Sequence, residues 1–180
     1  MESHLKEAYC VLTMFSVDVD KSPQGHIDPD ILDTLTVMNK VIETTSSCSG
    51  RITLMSGVKK GQSRWVYKNH EGADLDEIYN CIQEHGRLRF IYEGFIIHFR
   101  CKDQAEVNRY LSLLHSNGFK KSGMISPNLI IEVKDTGAME TIVTTDCSKE
   151  YIGVLVDEAL KRLYKTKKKL KRLESLFNHF

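Results

Sequence analysis

The chain has 180 residues, 41% of them hydrophobic and 27% charged, with a formal net charge of +1. These figures exclude a disordered, fibrous or disulfide-stapled class and fit an ordinary globular chain of one domain, or of two small halves sharing a core. No apolar run approaches the ~20 residues of a membrane span, and CVLTMF near the start is too short for a secretion signal. Five cysteines, at positions 10, 48, 81, 101 and 147, form no C-x-x-C pair and match no zinc spacing with the histidines. They are expected to be reduced and mostly buried, in a cytoplasmic protein without a metal. The charge is unevenly spread: Lys161 to Arg172 holds eight basic residues and no acidic one.

The opening HLKEAYCVLTMF sets Leu5, Tyr9, Leu12 and Phe15 at helical spacing, and DVDKSPQGHIDPD follows as a loop. Asp28 and Pro29 predict the start of a helix burying Ile31, Leu32, Leu35, Met38 and Val41. The run TTSSCSG at 44–50 is expected to be a loop, because small hydroxyl side chains bury little surface and compete with the backbone for hydrogen bonds. RITLMSGV, GVKKGQS and RWVYKNH predict a hairpin, with Trp65 and Tyr67 on one face of its second strand. Leu75, Ile78, Tyr79 and Ile82 mark a helix over 74–85, ended by Gly86. RLRFIYEGFIIHFRC predicts one or two strands broken near Glu93-Gly94. Asp103 opens a helix burying Val107, Tyr110, Leu111 and Leu114, with Gly118 as its stop. FKKSGMI, LIIEV and METIV are three short strands, and a final helix from Lys149 repeats Leu155, Ala159, Leu163, Leu170, Leu173 and Phe177. The order predicts an α+β fold: a mixed or antiparallel sheet, flanking helices and a long basic C-terminal helix, in one domain over 1–180.

The common enzyme signatures are missing. GVKKGQS lacks the spacing and lysine of a phosphate-binding loop, no G-x-G-x-x-G follows a strand, and neither H-E-x-x-H nor G-x-S-x-G occurs. What remains is a set of polar features in unexpected places. TTSSCSGR offers backbone N–H groups, hydroxyls and the fork of Arg51 to a carboxylate or phosphate; a solvated loop is the plain alternative. His98 shares a strand face with Ile96 and Arg100, where it is either a general base or a half-buried structural histidine. Trp65, with Lys59, Lys60 and Arg64 nearby and His70-Glu71 at the strand end, suits base stacking, although a lone tryptophan is commonly core. Lys120 and Lys121 precede a Ser122-Gly123 turn able to hold a phosphate, and the basic helix leaves its lysines outward.

In order along nearly the whole chain, DKSPQGHID, TTSSCSGRI, Trp65 to Glu71, FIIHFRC with Ala105, GFKKSG and YIGVLVDEALKRL resemble the tRNA wybutosine-synthesizing protein 3 family. TTSSCSGR is the most specific of these. Asn69 stands where the family pattern has serine, Lys120 where it has arginine, and METIV lacks the usual proline. The resemblance implies a methyltransferase unlike the Rossmann class, which moves a methyl group from S-adenosylmethionine to a ring nitrogen. The substrate implied is the tricyclic wybutosine precursor beside the anticodon of phenylalanine tRNA.

On that basis the roles follow. His98, then His70, is expected as general base. Ser46, Ser47, Cys48, Ser49, Gly50 and Arg51 are expected to bind the cofactor, with Arg51 on a carboxylate. Trp65, Lys120, Lys121, Ser122 and Gly123 are expected at the substrate, Trp65 stacking on the base and the lysines on tRNA phosphates. Two other classes compete: a non-catalytic RNA-binding module using Trp65 and the lysines, and a metal hydrolase on His70, His98 and Glu71, for which no ligand spacing exists.

Overall fold

A computed structural model describes residues 27–57, 63–126 and 128–178. The expected opening helix, most of the loop after it and the turn at 58–62 lie outside the described residues. In chain order the elements are a 3-10 turn Pro29–Ile31, α1 (Leu32–Met38), β1 (Glu43–Cys48), β2 (Arg51–Ser56), β3 (Arg64–Asn69), α2 (Leu75–His85), β4 (Leu88–Glu93), β5 (Ile96–Arg100), α3 (Gln104–Ser116), β6 (Gly123–Ser126), β7 (Ile130–Lys134), β8 (Ala138–Val143) and α4 (Lys149–Phe177). The α+β class holds, but the strands form two four-stranded sheets, each wholly antiparallel. Their orders are β1-β5-β7-β6 and β3-β2-β4-β8.

The chain divides into two compact units. One takes the chain up to Cys48, Ile96–Lys134 and the stretch from Lys169 on; the other takes Ser49–Phe95 and Asp135–Lys168. The first unit packs one face of β1-β5-β7-β6, through Ile97, Phe99, Ile131 and Val133, with Val107, Tyr110 and Leu114 of α3. Phe177, near the end of α4, stacks on Tyr110 at 5.8 Å and 15°, and Phe99 meets Tyr110 edge-on at 5.5 Å. The second unit packs Ile52 and Leu54 of β2 and Phe90 and Tyr92 of β4 with Ile78 and Ile82 of α2 and Ile152, Val156, Ala159 and Leu163 of α4. Each Val, Leu, Ile or Phe side chain among these contributes about 1.5–3 kcal/mol when removed from water.

Aspartate side chains cap two of the four α-helices among the described residues. Asp74 Oδ1 accepts from the Glu77 N–H at 2.9 Å and Asp103 Oδ1 from the Glu106 N–H at 2.8 Å, filling donors that the first turn leaves orphaned. Asp28 precedes Pro29 in an extended conformation, yet its side chain makes no capping bond, and the helix opens as a 3-10 turn. Ile31, Leu35 and Met38 are buried as expected, whereas Leu32 is half-buried and Val41 lies past the helix end, 36% exposed.

Three local expectations need correction. TTSSCSG is not a loop: Glu43–Cys48 pairs with β5, and only Ser49-Gly50 turns the chain into β2. Hydroxyl side chains are tolerated here because β1 is an edge strand among the described residues, and because a register shift between Thr44 and Ser46 absorbs Thr45 as a bulge. Trp65 and Tyr67 do not share a face. Tyr67 pairs with Leu54 but Trp65 with Met55, so Val66 is a bulge that turns the two rings to opposite sides. Tyr67 packs against the core and Trp65 stays 39% exposed. RLRFIYEGFIIHFRC does break at Gly94, but its halves enter different sheets. A Cβ on Gly94 would lie 2.5 Å from the Asp135 Cβ, and the Asp135 N–H bonds the Phe95 carbonyl at 2.9 Å, so only glycine lets these two segments approach.

Candidate active site

Directly opposed residues in an antiparallel pair project to the same face. In the sheet β3-β2-β4-β8, the face away from the core therefore carries Arg51 with Glu93, Thr53 with Lys68 and Ile91, and Met55 with Trp65 and Arg89. Arg51 Nε donates to Glu93 Oε2 at 2.7 Å, and its guanidinium lies 4.8 Å from the centre of the Trp65 ring. Lys68 Nζ lies 4.9 Å from the same ring. An accessible indole flanked by two cations is a surface suited to an anionic, flat ligand.

Behind Arg51 the chain is fixed tightly. Ser49 is fully buried and its Oγ accepts from Lys167 Nζ at 3.0 Å. Gly50 takes φ +99°, and a Cβ there would meet Thr166 Cγ2 at 3.0 Å and the Glu93 carbonyl at 3.3 Å. Thr166 donates to the Asp135 carboxylate and lies 2.8 Å from the Tyr92 hydroxyl, which donates to the Arg162 carbonyl at 3.1 Å. Burial is the first cause that pushes the Tyr92 phenol above its ordinary value. His70 sits half-buried in the turn after β3, where Asn69 Oδ1 accepts from the N–H groups of Glu71 and Gly72 at 2.8 and 3.0 Å. Asn69 thus closes this turn with its side chain.

In the other unit the register builds a row. Ser46 of β1, His98 of β5, Glu132 of β7 and Gly123 of β6 lie side by side across four strands, on the face opposite Phe99 and Ile131. His98 Nε2 and Glu132 Oε2 are 3.2 Å apart, with side-chain exposures of 23% and 16%. Lys134 Nζ holds Glu132 Oε1 at 2.5 Å. That bond first, opposed by desolvation and aided by His98, holds the Glu132 carboxyl below its ordinary value. Cys48 falls on the polar face, opposite Ile96, whereas Ser47 pairs with Ile97 on the core side. Lys120 and Lys121 are exposed in the turn after α3. Ser122 is buried, with its carbonyl 2.9 Å from His115 Nε2. Lys161, Lys165, Lys168, Lys171 and Arg172 are exposed along α4. Burial raises the Cys101 thiol to about 11, which marks it as inert.

The model of the family described as Methyltransferase TYW3 matches residues 6–179. The chain belongs to the TYW3 methyltransferase family. The tRNA(Phe) 7-((3-amino-3-carboxypropyl)-4-demethylwyosine(37)-N(4))-methyltransferase 1 of Pyrococcus furiosus is 34% identical over 166 residues, 84% of this chain and 85% of that protein. The tRNA wybutosine-synthesizing protein 3 homolog of Xenopus laevis is 28% identical over 172 residues, covering 87% and 68%. Among solved structures, the PH1069 protein from Pyrococcus horikoshii gives a TM-score of 0.77 at 32% identity, over 98% of this chain and 95% of that one. A hypothetical protein from Aeropyrum pernix gives 0.74 at 26% identity, over 84% and 98%. In this TYW3 family member, Glu132 and Glu93 are candidate-site neighbours that the motifs did not mark. A glutamate inside the strand LIIEV was the available signal for the first.

Proposed function

We propose that the protein moves a methyl group from S-adenosylmethionine to a ring nitrogen of the 7-(3-amino-3-carboxypropyl)-4-demethylwyosine base of phenylalanine tRNA, the N4 position at nucleotide 37 in the names of its relatives. The observation that carries this reading is the Arg51–Glu93 pair beside an open Trp65. The cofactor and the aminocarboxypropyl chain end in the same group, an α-carboxylate next to an α-ammonium. A guanidinium and a carboxylate opposed on one sheet face fit that zwitterion, and only the guanidinium Nε is engaged by Glu93. Arg51 anchors the carboxylate, with the Ser49-Gly50 backbone holding it in place, and Trp65 stacks on the fused rings.

The bound cofactor supplies a methyl group already activated on a sulfonium, so no acid is needed. The chain's task is to align the nucleophile, exclude water and take the proton released from the ring nitrogen. His98 takes that proton, with His70 as the second candidate. Lys120, Lys121 and the exposed cations of α4 neutralise tRNA phosphates.

Calorimetric titration with S-adenosylmethionine, wild type against Arg51→Ala, tests the reading. Saturable binding lost in the variant, and methyl transfer to undermodified phenylalanine tRNA by the wild type alone, are expected. A wild type that binds this tRNA but neither binds nor consumes S-adenosylmethionine would establish the non-catalytic RNA-binding alternative instead.

A further inference from the structure

Three residues singled out from separate motifs, Ser46, His98 and Gly123, fall in one row across the sheet, and the fourth place in that row is Glu132. No motif pointed to Glu132. It faces away from the core, yet only 16% of its side chain is exposed, and both His98 and Lys134 contact its carboxylate. A carboxylate spends its two oxygens differently here: Oε1 on the ammonium of Lys134 at 2.5 Å, and Oε2 on the imidazole of His98 at 3.2 Å.

The direction of the imidazole contact matters. Glu132 is held ionised by Lys134 and accepts only, so the hydrogen between it and His98 belongs to Nε2. The other ring nitrogen, Nδ1, then carries a lone pair, and it has no hydrogen-bond partner among the described residues. An imidazole with one N–H tied to a carboxylate and the opposite nitrogen open is the arrangement a general base requires, since the carboxylate sets the tautomer and stabilises the imidazolium.

We propose that Glu132 is the positioning residue for His98 in the methyl transfer, fixing the Nε2–H tautomer so that Nδ1 receives the substrate proton. The assignment rests on the methyl-transfer function proposed above. In the step, the ring nitrogen forms a bond to the methyl carbon while the methyl–sulfur bond breaks. That electron pair remains on sulfur as a neutral thioether. The N–H bond of the substrate breaks toward His98 Nδ1, and the positive charge that left sulfur ends on the imidazolium against Glu132. Lys134 prevents Glu132 from acting as the proton acceptor itself. Among the described residues of this sheet, the other charged or titratable groups on this face are Glu43 and Cys48 on β1 and Arg100 on β5. Glu43 and Arg100 pair with each other at 3.5 Å, and β6 places only Gly123 beside Glu132.

The experiment is heteronuclear NMR of the His98 ring through a pH titration of the full chain, paired with the pH profile of kcat on undermodified phenylalanine tRNA. Glu132→Gln keeps the shape and removes the charge. The ring should lose its single tautomer, and kcat should fall by about 10-fold or more. Lys134→Met, which leaves Glu132 Oε2 on the ring, should keep the Nε2–H tautomer, a contrast that a merely structural role does not produce. His98→Gln should lower kcat by about 100-fold or more. An active wild type whose ring tautomer is unchanged in Glu132→Gln overturns the assignment of Glu132 alone. A tautomer that changes while kcat stays fixed removes His98 as the base and Glu132 with it. A wild type that transfers no methyl group overturns the functional reading beneath both, whatever the ring does.

Discussion

Replacing Gly50 with alanine addresses how firmly the end of the TTSSCSGR motif is held. Two costs add. At φ +99° a side chain is strained, a penalty of about 1–3 kcal/mol. The new Cβ would also stand 3.0 Å from Thr166 Cγ2 and 3.3 Å from the Glu93 carbonyl, and crowding of a packed site costs about 1–3 kcal/mol more. Reduced freedom of the unfolded chain offsets ~0.5 kcal/mol, leaving a loss of about 3 kcal/mol. Gly86 supplies the control. It has a similar φ, +76°, but nothing lies within 4 Å of its Cβ position, so Gly86→Ala should lose only about 1 kcal/mol. For a chain of this length the two variants should melt ~6–12 °C and ~2–4 °C below wild type. Urea unfolding followed by circular dichroism gives the free energies directly. Thr166→Ser in the Gly50→Ala background removes the crowding methyl but keeps the hydroxyl, and should return ~1 kcal/mol as a coupling between the two sites. Equal losses at Gly50 and Gly86, with no coupling to Thr166, would refute the claim that α4 clamps this turn.

Other consequences are open to measurement. Tyr92→Phe leaves the Arg162 carbonyl short of a donor and Thr166 short of a partner in a buried site, so stability should fall by about 1–3 kcal/mol in denaturant titrations. Trp65→Ala should barely alter the melting temperature but weaken binding of undermodified phenylalanine tRNA by ~1–3 kcal/mol, while Trp65→Phe retains most of the affinity; equal affinity in all three would remove the stacking role. Lys120→Ala with Lys121→Ala should reduce the slope of log affinity against log salt by ~1–2, since each exposed lysine releases about one counterion. Glu132 has a depressed folded value, so its stabilisation is complete above its ordinary 4.5 and is lost as pH falls through the lower folded value. Acid unfolding of Glu132→Gln should therefore be shallower than that of wild type in that window and indistinguishable from it in shape at neutral pH.

Local chemistry was legible in the sequence and long-range register was not. Asp74, Asp103, Gly86 and the apolar period of α2, α3 and α4 act within a few residues of themselves, and each element stands where its own residues put it. The edge strand β1 was misread because its small hydroxyl residues suit a loop, and only pairing with β5, some fifty residues away, makes them a strand. A bulge is one residue that refuses the pleat, and nothing in Val66 or Thr45 announces it; the face occupied by Trp65 therefore could not be deduced from alternation. Of the candidate site, Arg51, Trp65 and His98 were singled out from residue type and motif. Glu132 and Glu93 were not, since a carboxylate in a strand gains meaning only from what lies opposite it.

The interrupted make-up of the two units bears on biosynthesis. Neither unit is a continuous stretch of chain: each is built from segments separated by segments of the other, and each draws on α4. A ribosome delivers residues in order, and domains made of contiguous chain fold as they emerge. Here the sheet β1-β5-β7-β6 must wait for Phe177 to stack on Tyr110, and the sheet β3-β2-β4-β8 for Ile152, Val156 and Leu163. Both cores close on α4, which follows all their strands in chain order, so a nascent chain stopped before Lys149 exposes two unfinished apolar faces at once. Such a chain is a substrate for chaperones and proteases, and emergence of α4 becomes the event that permits folding.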